Sequence, residues 1–256
     1  MIAERSKGVA PEVRGIAAGG ASDKGSVREH NEDLWGAVAL GDGRLALVLA
    51  DGMGGHVGGG EAADAAVSAA LRSLDGAAAE GRARGTSGLL ADAVARANAA
   101  VAGVRDNIGG NPGTTLVIAI VDRDSVSIAN VGDSRAYLVH DSVAHRLTTD
   151  HTWVGEEVLA GRLPADSERH HPRRNLLSRA VLGDPVAADI GSHPWKRGDS
   201  VLLCSDGVWE PINDADLGRL AAGDAAADEL AGAICEAALE AGSRDNVTAV
   251  VARRVR

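Results

Sequence analysis

An apolar segment that ends in an acidic, glycine-rich turn constrains the fold of this chain more than any other feature. The residues from Leu45 to Ala50 are all apolar, as in a buried strand, and Asp51-Gly52-Met53-Gly54-Gly55-His56 follows directly. Glycines in such a turn allow positive φ and let backbone carbonyls approach an ion or ligand closely. The segment therefore predicts a site at the end of a buried strand, with Asp51 as its first candidate. A plain turn in which Asp51 caps a helix starting near Gly60 is the alternative that this stretch leaves open.

The length and composition favour one domain with an aliphatic core. The chain has 256 residues, 45% of them hydrophobic, with no Phe and one Tyr, and no linker divides it. We expect a lead-in over residues 1–14 and a single domain over 15–256. Cys204 and Cys235 are too few for a disulfide framework and stand among apolar neighbours, so both are expected to be reduced core residues.

The charge and hydropathy of the chain exclude several classes of protein. A formal net charge of -10 argues against a non-specific nucleic-acid binder, which needs clustered basic residues. No segment reaches the roughly 18–20 apolar residues of a membrane span, and the N-terminus lacks a signal-peptide pattern. We expect a cytoplasmic monomer without nucleic-acid or membrane partners.

Apolar periodicity predicts a chain that alternates between groups of strands and groups of helices. The predicted strands, after a short one near residue 16, are 34–40, 45–50, 114–122, 126–131, 136–139, 201–205 and 247–252, and the predicted helices are 60–74, 89–104, 214–221 and 225–241. The close spacing of the three strands within 114–139 excludes parallel crossovers and predicts antiparallel hairpins. The polar stretch 148–175 predicts a surface flap.

Acidic residues stand at the turns where several of these strands begin or end. They are Glu32, Asp33, Asp51, Asp133, Asp206 and Asp245. Carboxylates that converge repel one another and raise each other's pKa unless cations neutralise them, so a converging set predicts metal ions. Oxygen ligands without a matching Cys or His cluster favour the hard ions Mg²⁺ and Mn²⁺.

The order and spacing of these motifs carry a family resemblance. The motifs are Arg28-x-x-Asn31-Glu32-Asp33, Asp51-Gly52-Met53-Gly54-Gly55, Gly113-Thr114-Thr115, Gly132-Asp133-Ser134-Arg135, Ser205-Asp206-Gly207 and Asp245-Asn246. Together they resemble the bacterial type of the protein phosphatase 2C family, metal-dependent serine/threonine protein phosphatases. Each motif is weak alone, but the series runs in order over nearly the whole chain.

The resemblance implies an α+β fold and a metal site. The fold is a four-layer α-β-β-α sandwich of two antiparallel sheets flanked by helices, with the flap as an insertion. Two Mn²⁺ or Mg²⁺ ions lie at one edge, and many bacterial relatives bind a third. Asp51 corresponds to the bridging carboxylate, the Gly52 carbonyl to a ligand of one ion, and Asp206 and Asp245 to ligands of the other. Asp133 with Asp206 corresponds to the third site.

The resemblance also implies the reaction and the remaining roles. A water or hydroxide that bridges the ions attacks the phosphorus of phosphoserine or phosphothreonine directly, in opposition to a bacterial-type Ser/Thr kinase. Arg28 corresponds to the arginine that binds substrate phosphate, Glu32 holds a metal-bound water, and Asp33 supports the site. Animal relatives carry a His where this chain has Met53, so the leaving-group acid is a metal-bound water or His56.

Alternative interpretations remain for several of these residues. Asp206 and Asp245 could be turn-capping acids, Asp133 could pair with Arg135 to hold a hairpin, and Arg28 could be a solvated surface charge. A catalytically idle phosphatase-fold protein that binds a partner is the alternative function. Such a protein is expected to have lost one or more metal acids, whereas this chain retains all of them.

Overall fold

The structure, a computed structural model, describes residues 5–53, 58–79 and 85–255. Its strands are β1 (Arg5–Val9), β2 (Ile16–Asp23), β3 (Asp33–Ala39), β4 (Leu45–Met53), β5 (Gly113–Thr114), β6 (Leu116–Val121), β7 (Ser125–Val131), β8 (Arg135–His140), β9 (Val143–Arg146), β10 (Asp189–Pro194), β11 (Ser200–Cys204) and β12 (Val247–Arg254). Its helices are α1 (Gly59–Ala79), α2 (Thr86–Ile108), α3 (Trp153–Leu159), α4 (Ser167–His170), α5 (Asp206–Trp209), α6 (Asp214–Ala221) and α7 (Ala227–Glu240). None of these helices has the length and apolarity needed to cross a lipid bilayer.

The strands of the described ranges form two antiparallel sheets. The first has the order β1-β2-β12-β11-β8-β9, and the second has the order β10-β7-β6-β4-β3, with β5 paired to β4. Helices α1 and α2 pack on the second sheet, and α5, α6 and α7 pack on the first. The predicted four-layer α-β-β-α sandwich with flanking helices is confirmed.

The apolar segment that dominates the sequence is buried on both of its faces. Leu45, Leu47 and Leu49 point into the core between the two sheets, where they join residues such as Leu203 of β11. The alternate residues of β4 join the cluster beneath α1 and α2. A strand with apolar partners on both sides needs no polar alternation, which explains why this stretch is continuously hydrophobic.

The sequence prediction of hairpins between 114 and 139 is half right. Strands β6 and β7 pair antiparallel as expected, but β7 belongs to the second sheet and β8 to the first. The chain therefore crosses between sheets at Gly132, where φ is 109° and an added Cβ would lie 2.7 Å from Thr115 Cβ. A short link excludes a parallel crossover within one sheet, but it does not exclude a step to the facing sheet. This step places Asp133 between the two layers.

The N-terminal lead-in is not separate from the sheets. Arg5–Val9 pairs antiparallel with β2 along its whole length and forms one edge of the first sheet. Both cysteines match the prediction, since Cys204 and Cys235 are buried and form no disulfide with any residue that the structure describes.

A buried group of charges anchors the flap, residues 148–175, to the first sheet. The Arg135 side chain is only 2% exposed and donates to Asp150 Oδ1 at 2.9 Å and Oδ2 at 2.6 Å, and to Glu168 Oε2 at 3.2 Å. Its guanidinium also stacks on the Trp209 ring, 3.5 Å from the centroid. Burial alone would lower the pKa of Arg135, but Asp150 raises it above the usual range. The base of the flap is therefore part of the core.

The replacement Arg135→Ala should lower the free energy of unfolding by about 3–5 kcal/mol, because it removes the hydrogen-bonded counter-ion of the buried Asp150 carboxylate and leaves only the more distant Arg146, whose Nη1 lies 3.7 Å from Asp150 Oδ2. Urea denaturation monitored by tryptophan fluorescence measures the change. Arg219→Ala is the matched control, since its side chain is 72% exposed and pairs with Asp216 at the surface, where ion pairs contribute about 0–1 kcal/mol. Equal losses in the two variants would contradict this account of the anchor.

Candidate metal centre

The end of β4 is held in place by hydrogen bonds from two neighbouring segments. Asp51 lies opposite Asp33 in the register of β3 and β4. Its carbonyl accepts from the Thr115 N–H and the Thr114 hydroxyl, both at 2.9 Å, and its N–H donates to Thr115 Oγ1 at 3.0 Å. The Gly52 N–H donates to the Glu32 carbonyl at 3.1 Å. The backbone of Asp51 and Gly52 is therefore fixed, and both residues face a cavity.

The first sheet contributes acids from two neighbouring turns. Asp206 begins α5 directly after β11, and Asp245 stands before β12, which pairs with β11. Between them Gly207 permits a close approach, since a Cβ there would lie 2.0 Å from the Asn246 carbonyl oxygen. Any larger residue at Gly207 would push the two acidic turns apart.

A cavity of about 210 Å³ collects most of the residues that the sequence singled out. The predicted residues on its wall are Arg28, Glu32, Asp51, Gly52, Asp133, Asp206 and Asp245. Asp33 is buried and is not part of the wall, and His56 lies outside the described residues. Asn175, the last residue of the flap, and Leu177, just after it, also line the cavity, although the sequence analysis gave them no role in the site.

Burial and mutual repulsion raise the pKa values of several acids in this cavity. Burial raises the pKa of Asp51 well above its usual value, and the neighbouring Asp33 and Asp206 charges raise it further. Burial likewise raises the pKa of Asp206, and so do Asp133 and Asp245. Burial, with the charge of Asp150, raises the pKa of Asp133 to about 7. Without a cation, the cavity therefore disfavours full ionisation of its carboxylates.

Asp33 is held by hydroxyl groups of the first sheet. Ser205 Oγ donates to Asp33 Oδ2 at 2.8 Å and itself accepts from the Thr248 N–H at 3.1 Å. Burial raises the pKa of Asp33 to about 6, although hydrogen bonds from Thr248 and Ser205 oppose the shift. Asp33 thus joins the two sheets directly beside the carboxylates of the cavity.

Glu32 lies against the N-terminus of α1. A Cβ added to Gly59 would lie 2.7 Å from Glu32 Oε1, so a side chain at that position would collide with the carboxylate. Burial raises the pKa of Glu32, while a hydrogen bond from the Gly60 N–H lowers it. The unpaired N–H groups and dipole of a helix N-terminus favour a negative charge there.

Arg28 lies at the mouth of the cavity and is half exposed. Its Nη2 donates to Asp245 Oδ2 at 2.6 Å. Burial would lower the pKa of Arg28, but Asp245 raises it. The Arg28 guanidinium therefore lies at the edge of the cavity and is paired with Asp245. It is not the unpaired, solvated surface charge that the sequence left as an alternative.

Asn246 organises the loop that carries these residues, a role that the sequence analysis did not identify. Its Nδ2 donates to the carbonyls of Lys24 at 2.9 Å and His30 at 3.0 Å, and its Oδ1 accepts from the Glu32 N–H at 2.9 Å. The motif Asp245-Asn246 was visible in the sequence, but the three loop partners of Asn246 are more than 200 positions away.

The alternative in which Asp133 pairs with Arg135 to hold a hairpin is wrong, because the ion pairs of Arg135 are with Asp150 and Glu168.

The donor set of the cavity fits hard divalent cations. Asp206 Oδ1 is buried and has no hydrogen-bond partner among the described residues, which is costly for a carboxylate oxygen unless an ion binds it. Within the described ranges, no three Asp, Glu, His or Cys side chains could hold a metal ion unaided. Ions would therefore also need the Gly52 carbonyl and water molecules as ligands, and Mg²⁺ sites in proteins commonly include water.

Known proteins resemble this chain over most of its length. The family model for Protein phosphatase 2C matches residues 24–238. The serine/threonine phosphatase stp of Listeria innocua is 34% identical over 241 residues, which cover 91% of this chain and 94% of that protein. The serine/threonine protein phosphatase PstP of Mycobacterium tuberculosis is 38% identical over 238 residues, which cover 90% of this chain and 43% of PstP.

Solved structures extend the similarity to the fold. The crystal structure of M. tuberculosis PstP/Ppp superposes with a TM-score of 0.84 at 32% identity and covers 94% of this chain and 99% of that one. The PstP catalytic domain in complex with 2 manganese ions has a TM-score of 0.80 at 32% identity, covering 94% and 99%. The family model covers more than half of the chain, and both phosphatases exceed 30% identity over about nine-tenths of it. The chain therefore belongs to the protein phosphatase 2C family.

Proposed function

We propose that this protein is a metal-dependent protein serine/threonine phosphatase that hydrolyses phosphoserine and phosphothreonine directly. The observation that carries the proposal is the convergence of Asp51, Asp133, Asp206 and Asp245 from both sheets on one cavity, with Arg28 at its mouth. The names of the Listeria and Mycobacterium relatives support the substrate class.

The carboxylates of the cavity would hold two ions. Asp51 would contact both, the Gly52 carbonyl one of them, and Asp206 and Asp245 the other, while Asp133 with Asp206 would hold a third. The manganese complex of PstP supports Mn²⁺, and the oxygen donors suit Mg²⁺ equally. When bound, such ions acidify a water and neutralise charge on the phosphoryl oxygens.

The other residues of the site bind and orient the substrate. Arg28 donates parallel hydrogen bonds to two phosphoryl oxygens, which suits its planar guanidinium. Glu32 accepts a hydrogen bond from a water in the cavity, and its fixed position against α1 orients that water. Asp33 acts as a positioning residue, because Ser205 holds its carboxylate beside Asp51.

The proposed cellular role follows from the substrate. Removal of phosphate from Ser and Thr opposes a Ser/Thr kinase, and the flap selects among phosphorylated proteins. We infer a cytoplasmic monomer, in agreement with the charge and hydropathy of the sequence.

Hydrolysis of a phosphothreonine peptide should require Mn²⁺ or Mg²⁺ and stop in EDTA. Asp206→Asn should lower kcat/KM by at least about 100-fold, because it removes a carboxylate from the ion-binding set. Asp224→Asn, the same chemical change at an exposed position, should keep full activity. Phosphate release from the peptide measures each rate. No turnover with either ion by the folded protein would favour the idle binding module instead.

His56 is our candidate proton donor to the leaving alkoxide, since Met53 occupies the position of the histidine in animal relatives. His56→Ala should lower kcat at least about tenfold on an alkyl phosphate, whose leaving group needs a proton. On an aryl phosphate, whose phenolate leaves unaided, the loss should be much smaller. Equal rates of variant and wild type on both substrates would exclude His56.

The metal-free protein should become less stable as the pH rises from about 4 to about 7. Protonated Asp133, whose pKa is raised from 3.8 to about 7, contributes stability that is lost as the pH passes through the folded-state pKa. Urea unfolding in EDTA at several pH values measures this slope. Asp133→Asn should make the slope less steep, while Asp33, Asp51 and Asp206, whose pKa values are also raised, maintain the remainder. Asp224→Asn should leave the slope unchanged, and excess Mn²⁺ should abolish it. An identical slope in Asp133→Asn would contradict the assignment.

A further inference from the structure

A second cleft of about 380 Å³ opens beside the acidic cavity. The two share Arg28, Asn175 and Asp245 on their walls, so they adjoin one another. The flap forms one side of the second cleft, and the turn between α7 and β12 forms the other. Nothing in the proposed hydrolysis of a single phosphoryl group uses this second space.

The walls of this cleft carry an excess of positive charge. They include four arginines, Arg28, Arg169, Arg174 and Arg244, but only two carboxylates, Glu210 and Asp245. The chain as a whole has a formal net charge of -10, so this local excess runs against the overall balance. A cleft of this sign attracts anions and repels basic side chains.

Arg174 is fixed in an orientation that leaves it able to bind a ligand. Its Nε donates to Glu210 Oε1 at 2.6 Å and its Nη2 to Glu210 Oε2 at 3.1 Å. Among the described residues, no partner occupies its Nη1. Because Glu210 already restricts the side chain, a ligand that binds Nη1 loses little additional conformational freedom.

Arg244 is the uncompensated cation of the cleft. It is exposed, and its guanidinium forms no hydrogen bond or ion pair with any residue that the structure describes. Arg169, in contrast, is occupied by the Ile212 carbonyl at 2.7 Å and by the Asp214 carboxylate. Arg174 and Arg244 therefore supply the free donors, from the flap side and from the α7–β12 side.

We propose that this cleft binds an anionic side chain, a carboxylate or a second phosphate, that flanks the phosphorylated residue of the substrate. The inference rests on the proposed function and specifies its substrate as an acidic or multiply phosphorylated segment. An extended peptide advances about 3.3 Å per residue, so side chains within about three positions of the phosphorylated residue can reach an adjoining cleft. Arg174 and Arg244 bind the flanking anion, and Arg28, on the shared wall, binds the phosphate to be removed.

Kinetics on a set of phosphothreonine peptides test the proposal. One peptide has neutral flanks, and the others carry a single Glu at each of about three positions on either side. The wild type should show at least one position where Glu raises kcat/KM by about 3- to 5-fold, the range for a partly exposed ion pair. The phosphonate analogue of phosphoserine, which cannot be hydrolysed, replaces Glu at that position. A further increase identifies a second phosphate as the preferred anion, and no increase identifies a carboxylate.

Charge reversal at the rim separates recognition from a structural effect. In Arg244→Glu the preference for the Glu peptide should disappear, and a Lys at the same peptide position should become favourable. Arg197→Glu is the matched control, since Arg197 is also an exposed arginine without an ion pair among the described residues but does not line the cleft. It should keep the preference of the wild type. A purely structural effect of Arg244 would not invert the preferred charge.

The outcomes distinguish this inference from the proposed function. Hydrolysis of every peptide at equal kcat/KM would overturn the cleft as an anion site and leave the phosphatase activity intact. A preference that survives in Arg244→Glu would overturn the assignment to this cleft. No metal-dependent hydrolysis of any peptide would overturn the proposed function and this inference together.

Discussion

Mutual repulsion among buried carboxylates is the constraint on which the site depends. Asp51 and Asp206 come from different sheets, and in addition to the effect of burial the charge of Asp206 raises the pKa of Asp51, while Asp133 and Asp245 raise the pKa of Asp206. Two packed sheets can hold such groups together because the aliphatic core between them does not depend on the charges. Hydrogen bonds to the backbone of Asp51, and the close contact at Gly207, then prevent the acidic turns from moving apart. The fold keeps in place an arrangement that its own electrostatics oppose, and cations are the natural counterpart.

Local sequence pattern was sufficient to predict the strands that carry the acids. Strands β4, β11 and β12 are apolar runs with acidic turns at their ends, so strand and candidate ligand could be identified together. Strand β10 was missed, because its exposed and half-exposed residues at the edge of the second sheet leave no apolar signal. The step of the chain between sheets at Gly132 was also missed, since the choice of a pairing partner depends on the facing sheet. The loop contacts of Asn246 depend on residues far away in the sequence and could not be predicted for the same reason.

The flap has a polar sequence, but the residues at its base are buried in the core. Its polarity predicts a surface insertion, but Asp150 and Glu168 are buried where they pair with Arg135. Arg135 stacks on Trp209, whose Nε1 in turn donates to the Asp133 carbonyl at 2.9 Å. The base of the flap is thus connected to the acidic cavity through two buried side chains. This connection fixes the base of the flap relative to the acidic cavity.

The position of β12 within the first sheet has a consequence for synthesis of the protein. β12 lies between β2 and β11, although it follows every other strand that the structure describes. Until it leaves the ribosome, β1 and β2 cannot join β8, β9 and β11, and Asp245, just before β12, cannot reach the other acids. Pairing over such a sequence separation is slow, because the entropy of closing a long loop is lost before the contacts form. A nascent chain should therefore be unable to complete the first sheet, or to bring Asp245 to the acidic cavity, until β12 has been made.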